Sequence, residues 1–234
     1  MQMNMKEESS SKRINAIGQS IGGIKRYLEI GVAKGSTFFK VNAKEKHAVD
    51  PRFRFDVKTR FEHKEEFYYN MTSDEYFSKI KTDKYFDIIF LDGLHTYNQT
   101  LRDFINTLSV SHERTIWIID DTVPVDEISA EPDLNKVRSI RRIQDSNDET
   151  WMGDVYKVVV FIESFFKQFT CLTLEGHGQT LVVPSRNIET CKDLDTREID
   201  KLGYLDTVIM KDKYWKPIIF EAALKEIEKV VQDA

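Results

Sequence analysis

One stretch constrains the fold more than any other: Arg26-Tyr27-Leu28-Glu29-Ile30-Gly31-Val32-Ala33-Lys34-Gly35-Ser36-Thr37-Phe38-Phe39. A short apolar run ends in an acid, a glycine turn follows, and Ser36 and Thr37 stand where a helix would be capped. The reading is strand, ligand loop, helix. Glycine is needed where a backbone turns sharply and approaches a ligand closely, because it has no Cβ.

The same alternation continues downstream. His47-Ala48-Val49 reads as a second strand ending at Asp50-Pro51, and Phe67-Tyr68-Tyr69 as a third, with Ser73 or Asp74 capping a helix from Glu75 to Ile80. Phe86 to Leu91 is a nearly continuous apolar run, the mark of a strand buried on both faces of a parallel sheet. It ends at Asp92-Gly93-Leu94-His95-Thr96-Tyr97, before a helix over 98–108, and Thr115 to Ile119 ends at Asp120-Asp121. Alternating strands and helices predict an α/β fold: a doubly wound, mostly parallel Rossmann-like sheet of about seven strands, with helices on both faces.

The domain expectation follows. Residues 1–25 form a polar tail and a short helix, 26–184 the main domain, and 185–234 a C-terminal helical extension packing on the domain or on a partner subunit. Within the main domain 121–150 is long for a connection, acidic and proline-bearing, which predicts a lid-like insertion. Arg138, Arg141 and Arg142 within it read as a solvated helix face or, less simply, as contacts to an anionic group. Phe169–Leu174 and Thr180–Val183 predict two closing strands, and Pro217–Val231 an amphipathic helix.

Composition removes some classes of function. A net charge of −5 argues against a nucleic-acid backbone as partner. No apolar run approaches the length of a membrane span, and the polar N-terminus lacks the apolar core of a signal peptide. Two cysteines, Cys171 and Cys191, form neither a disulfide framework nor a zinc pattern, so the expectation is reduced thiols in a cytoplasmic protein.

The chemistry concentrates at strand ends. Glu29, Asp50, Asp92 and the pair Asp120-Asp121 all end strands, and ligands of open α/β sheets sit outside those ends. Acids converging there would repel one another unless a ligand or cation used them. Asp50 falls nineteen residues after Gly31, where a nucleotide fold places the acid for a ribose hydroxyl pair; an acid starting a turn before proline reads equally well. The loop is G-x-x-x-G, not the G-x-G-x-x-G of a dinucleotide enzyme, which favours a ligand without a pyrophosphate.

Glu29-x-Gly31-x-x-x-Gly35 followed by Asp50 resembles the S-adenosylmethionine loop of class I methyltransferases, with Ala33 near the place of the usual middle glycine. Asp92-Gly93-Leu94-His95-Thr96-Tyr97 and Ile118-Ile119-Asp120-Asp121 resemble the small-molecule and sugar O-methyltransferases of the catechol, macrocin and aminocoumarin types. The resemblance implies S-adenosylmethionine as cofactor, with Glu29, Gly31, Gly35, Ser36, Asp50 and Asp92 at cofactor positions, and Thr72 and Ser73 just past the third strand. It also implies Mg²⁺ held by Asp92, Asp120 and Asp121. Hard oxygen ligands suit that ion, which lowers the pKa of a substrate hydroxyl.

A broader branch is similar through Tyr27–Val32, Asp92–Tyr97 and Gly153–Lys157; its fifth strand commonly ends His-Asp, so the metal rests on Asp120 here. In a metal-free mechanism His95 is the candidate base, acting beside Asp92, with structural and metal-neighbour roles equally open. The expected activity is O-methylation of a hydroxyl on a small molecule or sugar, in natural-product or glycan biosynthesis. The alternatives are a metal-independent O- or N-methyltransferase using His95, and a non-catalytic nucleotide-binding scaffold. Self-association through the C-terminal helices is a further expectation.

Overall fold

The computed structural model describes residues 9–60, 64–79, 84–176, 178–185 and 194–232. The expectations for residues 1–8, for Ile80 and for Cys191 lie outside the described residues. The chain forms two compact units, each assembled from separate stretches. One takes the chain up to Gly93, Asp103–Trp117 and the segment from Glu221 onward; the other takes Leu94–Arg102 and Ile118–Phe220.

The first unit begins with helix α1 (Ser10–Ser20), followed by strand β1 (Ile24–Ile30). Gly22 and Gly23, both at positive φ, make the turn between them. Strands β2 (Ala43–Val49), β3 (Glu66–Tyr69) and β4 (Phe86–Leu91) follow, with helix α2 (Ser73–Lys79) between the last two. β2 lies parallel to β1, β4 parallel to β1, and β3 parallel to β2. With β5 (Ser111–Ile119) the order is β3-β2-β1-β4-β5, so the order reverses between β1 and β4. Outside the carboxyl ends of strands at such a reversal an α/β sheet forms its ligand crevice. Glu29, Asp50 and Asp92 all stand at those ends.

The helix expected after the glycine loop is absent. Only residues 31–42 join β1 to β2, and the turn at Gly31–Gly35 takes the first of them. What remains accommodates a single 3₁₀ turn at Phe38–Lys40, and Thr37 makes no side-chain cap to it. Ser36 is therefore an exposed turn residue, not a helix cap. Packing replaces the missing helix. Phe38 is fully buried, Phe39 meets Phe55 edge-on at 4.9 Å, and Phe38 meets Tyr68 at 5.6 Å. Lys46 caps this cluster, 4.8 Å over the Phe38 ring and 2.8 Å from Glu66, its cross-strand partner on β3.

The cap of α2 also differs from expectation. Thr72 Oγ1 accepts from Glu75 N at 3.2 Å, and Glu75 Oε2 accepts from Thr72 N at 3.1 Å, a reciprocal capping box. Ser73 lies inside the helix and is buried. A three-residue spacing of Thr and Glu, readable in the sequence, identifies the cap.

The second unit contains α4 (Leu134–Ile143), α5 (Tyr156–Phe165), the antiparallel strands β6 (Phe169–Leu174) and β7 (Thr180–Pro184), and short helices α6 (Thr196–Asp200) and α7 (Tyr204–Ile209). Helix α3 (Tyr97–Thr107) and β5 each span the boundary between the units. The predicted C-terminal helix is shorter than expected at its start. Pro217–Ile218 forms a two-residue strand, β8, parallel to β6, and α8 runs from Phe220 to Gln232. β8 brings the strands to eight instead of about seven. No helix among the described residues is long and apolar enough to cross a membrane.

The 3₁₀ turn is anchored by one side chain. Asn15 Nδ2 donates to Lys40 O at 2.8 Å, and Asn15 Oδ1 accepts from Asn42 N at 2.7 Å. With both bonds lost and their exposed backbone partners returned to water, Asn15→Ala should lower stability by about 1 kcal/mol in urea unfolding.

Candidate active site

In the first unit the strand-end acids are arranged around backbone. Gly31 follows β1 at φ +88°, its N–H donating to Val49 O at 2.9 Å. A Cβ on it would stand 1.9 Å from the carbonyl oxygen of Asp92, so the loops after β1 and β4 touch here through bare backbone. Gly35 closes the turn with its N–H donating to Val32 O at 2.7 Å, and a Cβ there would meet the Phe39 ring at 2.3 Å. Ala33, in place of a middle glycine, adopts φ +46°.

Asp50 holds that turn. Its Oδ2 accepts from Val32 N at 2.9 Å and Ala33 N at 2.8 Å, and its Oδ1 accepts from Arg52 N at 2.6 Å. Asp50 thus starts the turn at Pro51, as one of its two readings has it, and also organises the glycine loop, which neither reading anticipated. A carboxylate offers about four lone-pair sites, so these three bonds leave one for a hydroxyl donor.

Glu29 is 2% exposed and accepts from the Tyr27 hydroxyl at 2.6 Å. Burial pushes its carboxyl up to about 8; the Tyr27 hydrogen bond pulls the other way, and the charges of Asp92 and Asp50 raise it further. The acids do crowd one another, as their strand-end positions imply. The crowding is relieved internally: burial favours the protonated form of Glu29, and three backbone N–H groups solvate the Asp50 carboxylate. Crowded acids at these strand ends therefore do not by themselves demand a ligand or cation. Thr72 is exposed beyond β3 but its hydroxyl serves the capping box, and Ser73 is buried beside it.

In the second unit a different group of residues converges on His95. Its Nδ1 lies 2.9 Å from Asp121 Oδ2 and 2.9 Å from the carbonyl oxygen of Trp151. A carbonyl only accepts, so Nδ1 carries the proton and the lone pair of the neutral ring is on Nε2. The indole of Trp151 stacks on the imidazole at 4.8 Å with 14° between the planes. Asp121 reaches this position from φ +60°, a left-handed conformation more common for Asp than for most side chains. Asp120, its neighbour, is committed elsewhere: Oδ1 accepts from Asp121 N at 3.0 Å and Oδ2 from Gln179 Nε2 at 3.1 Å.

The Trp151-Met152-Gly153-Asp154 segment explains itself in this geometry. Gly153 is at φ +62°, and a Cβ on it would stand 1.7 Å from His95 O. Asp154 Oδ1 then accepts from Tyr97 N at 2.7 Å, capping α3 from outside the helix. Trp151 was not among the residues singled out from the sequence, although it adjoins Gly153-Asp154.

The segment 121–150 supports this site from behind. Arg141, which is buried, bonds both carboxylate oxygens of Asp126 and pairs with Asp148 at 2.9 Å. Asp126 holds Ser129 N at 2.6 Å, Ser129 O accepts from Met152 N and Gly153 N, and Trp151 Nε1 donates to Glu131 O at 2.8 Å. Arg138 and Arg142 are exposed, as a solvated face requires, whereas Arg141, expected on the same face, is buried.

Two variants check this account. The folded chain retains the Glu29 proton between pH 4.5 and 8, where the unfolded chain loses it, so stability falls as pH rises through that window. Glu29→Gln should abolish this slope and exceed the wild type by roughly 1–3 kcal/mol at pH 8, with the gap closing toward pH 5, in denaturant titrations at each pH. Gly153→Ala should cost about 3 kcal/mol or more, since both the backbone angle and the His95 carbonyl oppose a Cβ.

Residues 28–122 match the model of a methyltransferase domain. Among curated proteins no sequence matches this one. Solved structures do match. A protein assigned as an O-methyltransferase from Klebsiella pneumoniae is 17% identical, with a TM-score of 0.52 over 78% of this chain and 84% of that one. The O-methyltransferase from Bacillus cereus, solved in complex with SAH, is 18% identical, with a TM-score of 0.50 over 76% and 83%. A protein assigned as a caffeoyl-CoA O-methyltransferase from Staphylococcus aureus is 15% identical, with a TM-score of 0.52 over 75% and 82%. Identities this low speak for the fold alone. Residues 28–122, from β1 through the Asp120-Asp121 pair, thus match a methyltransferase domain, and the fold is one that O-methyltransferases share.

Proposed function

We propose that this chain transfers the methyl group of S-adenosylmethionine to a hydroxyl of a small molecule or sugar, with His95 as general base. The observation that carries this reading is the pair of oxygens at His95 Nδ1, from Asp121 and the Trp151 carbonyl, which makes Nδ1 the donor nitrogen. That leaves Nε2 as the basic nitrogen and puts a carboxylate behind the imidazolium that would form. When bound, the cofactor supplies a methyl already activated on a sulfonium. The turn of Gly31, Ala33, Gly35 and Ser36, with the remaining lone-pair site of Asp50 for a ribose hydroxyl, would hold it. Glu29, protonated and buried, contributes no negative charge beside the donor.

A second reading adds Mg²⁺ at Asp92, Asp120 and Asp121. The all-oxygen donor set suits a hard cation. Against it, both oxygens of Asp120 accept hydrogen bonds from Gln179 and its own neighbour. The remaining expectations belong to the proposal as well: no nucleic-acid partner, a cytoplasmic location, and self-association. Exposed Leu205, Val208 and Ile209 on α7 support the last.

The test uses methyl-labelled cofactor with a panel of glycans and phenols, and measures cofactor binding separately by calorimetry. His95→Gln should lower kcat by 10²–10⁴-fold while leaving cofactor affinity intact. EDTA should leave the wild-type rate unchanged under the base reading, whereas loss of activity restored by Mg²⁺ would select the cation. Methylated amines in place of ethers among the products would move the reaction to nitrogen. Wild-type activity in His95→Gln would refute the base assignment.

A further inference from the structure

We infer that Trp151 is a positioning residue for His95, and that the 121–150 segment serves this reaction as the mount of that indole. The inference rests on the proposed base role of His95 and goes beyond it, because the imidazole has two rotatable bonds that Asp121 alone does not fix. Trp151 acts on the ring in two directions at once. Its carbonyl oxygen lies 2.9 Å from Nδ1, within hydrogen-bond reach, and its indole covers one ring face at 4.8 Å, nearly parallel. Together these define both the direction of the Nδ1–H bond and the plane of the ring, and so the direction in which Nε2 points.

Trp151 is itself held at both ends. Its indole Nε1 donates to Glu131 O at 2.8 Å, and the two residues after it, Met152 and Gly153, donate their backbone N–H groups to Ser129 O at 2.9 and 2.8 Å. Ser129 is tied to Asp126, and Asp126 to Arg141. Gly153 then passes against His95 O, so the backbone on either side of the stacked pair is in contact. Each of these bonds lies within one compact unit of the fold. A Trp that merely filled space would need neither the parallel stack nor the carbonyl contact. Pre-organisation of a base by a locked second group is a recognised requirement for precise proton transfer.

The test needs no identified acceptor. In ¹⁵N-histidine-labelled protein near neutral pH, the His95 Nδ1–H, assigned by its absence from His95→Gln, should be protected from solvent exchange. Trp151→Ala, which strips the cover and the anchor to Glu131, should speed that exchange at least 10-fold. Trp151→Phe, which retains a stacking ring, should stay within about 3-fold of the wild type. Circular dichroism confirms that each variant is folded; should Trp151→Ala fail to fold, Trp151→Leu takes its place with the same expectation. Exchange at the wild-type rate in the folded variant would overturn the inference.

With any acceptor that the chain methylates, Trp151→Ala should lower kcat about 10-fold or more without changing cofactor affinity. It should cause no further loss in a His95→Gln background, since both act through one imidazole. Additive losses would overturn the positioning role. Full activity of His95→Gln would instead refute the base role, with the exchange result still reporting on the clamp.

Discussion

Two carbonyl oxygens, one in each unit, occupy space that a β-carbon would need, and the loops that carry the candidate residues are fixed by them. Asp92 O sits against Gly31 in the first unit, and His95 O against Gly153 in the second. Both glycines have positive φ, so each position is closed to other residues by backbone angle and by contact alike. The first contact sets the loop after β1 against the loop after β4. The second fixes the peptide of His95 against the segment that carries Trp151 and Asp154. Without such close approach neither loop would hold its polar side chains within hydrogen-bond reach of the groups they orient.

The acids of the first unit illustrate how a fold tolerates charge where chemistry requires it. Three carboxylates at adjacent strand ends are an electrostatic cost that rises as water is excluded. Glu29 avoids ionisation through burial, and Asp50 spreads its charge over three backbone N–H groups. Asp50 thereby shapes the glycine turn itself, which makes the acid at the end of β2 part of the loop's own architecture. A ligand at this turn would meet a preformed surface.

The second unit gives the long acidic connection a structural purpose. An insertion of this composition reads as a lid, yet the buried Arg141 with Asp126 and Asp148 ties it together and presents Glu131 and Ser129 to the Trp151 segment. Arg141 is buried while both of its carboxylate partners reach solvent, so these ion pairs act chiefly by fixing an arrangement. In this chain the arrangement they specify is the orientation of a histidine.

Most of the secondary structure was legible from local pattern. The apolar run of β4, the acid-glycine step after β1 and the turn around Pro51 depend on neighbours in sequence alone, so hydrophobic period and glycine position reveal them. The strand-end acids were legible for the same reason. The helix after the glycine loop was misread, because whether residues 36–41 form a helix depends on how few residues separate two strands and on the pull of Phe38 into the aromatic cluster. Trp151 carried no local signal, since its partner lies fifty-six positions earlier. The sequence by itself determined which residue types reach the strand ends and that a methyltransferase-like loop begins the domain. Tertiary structure alone decided which acid keeps its proton, which carboxylate faces His95, and what holds the imidazole, because desolvation, hydrogen bonding and stacking act between residues that only folding brings together.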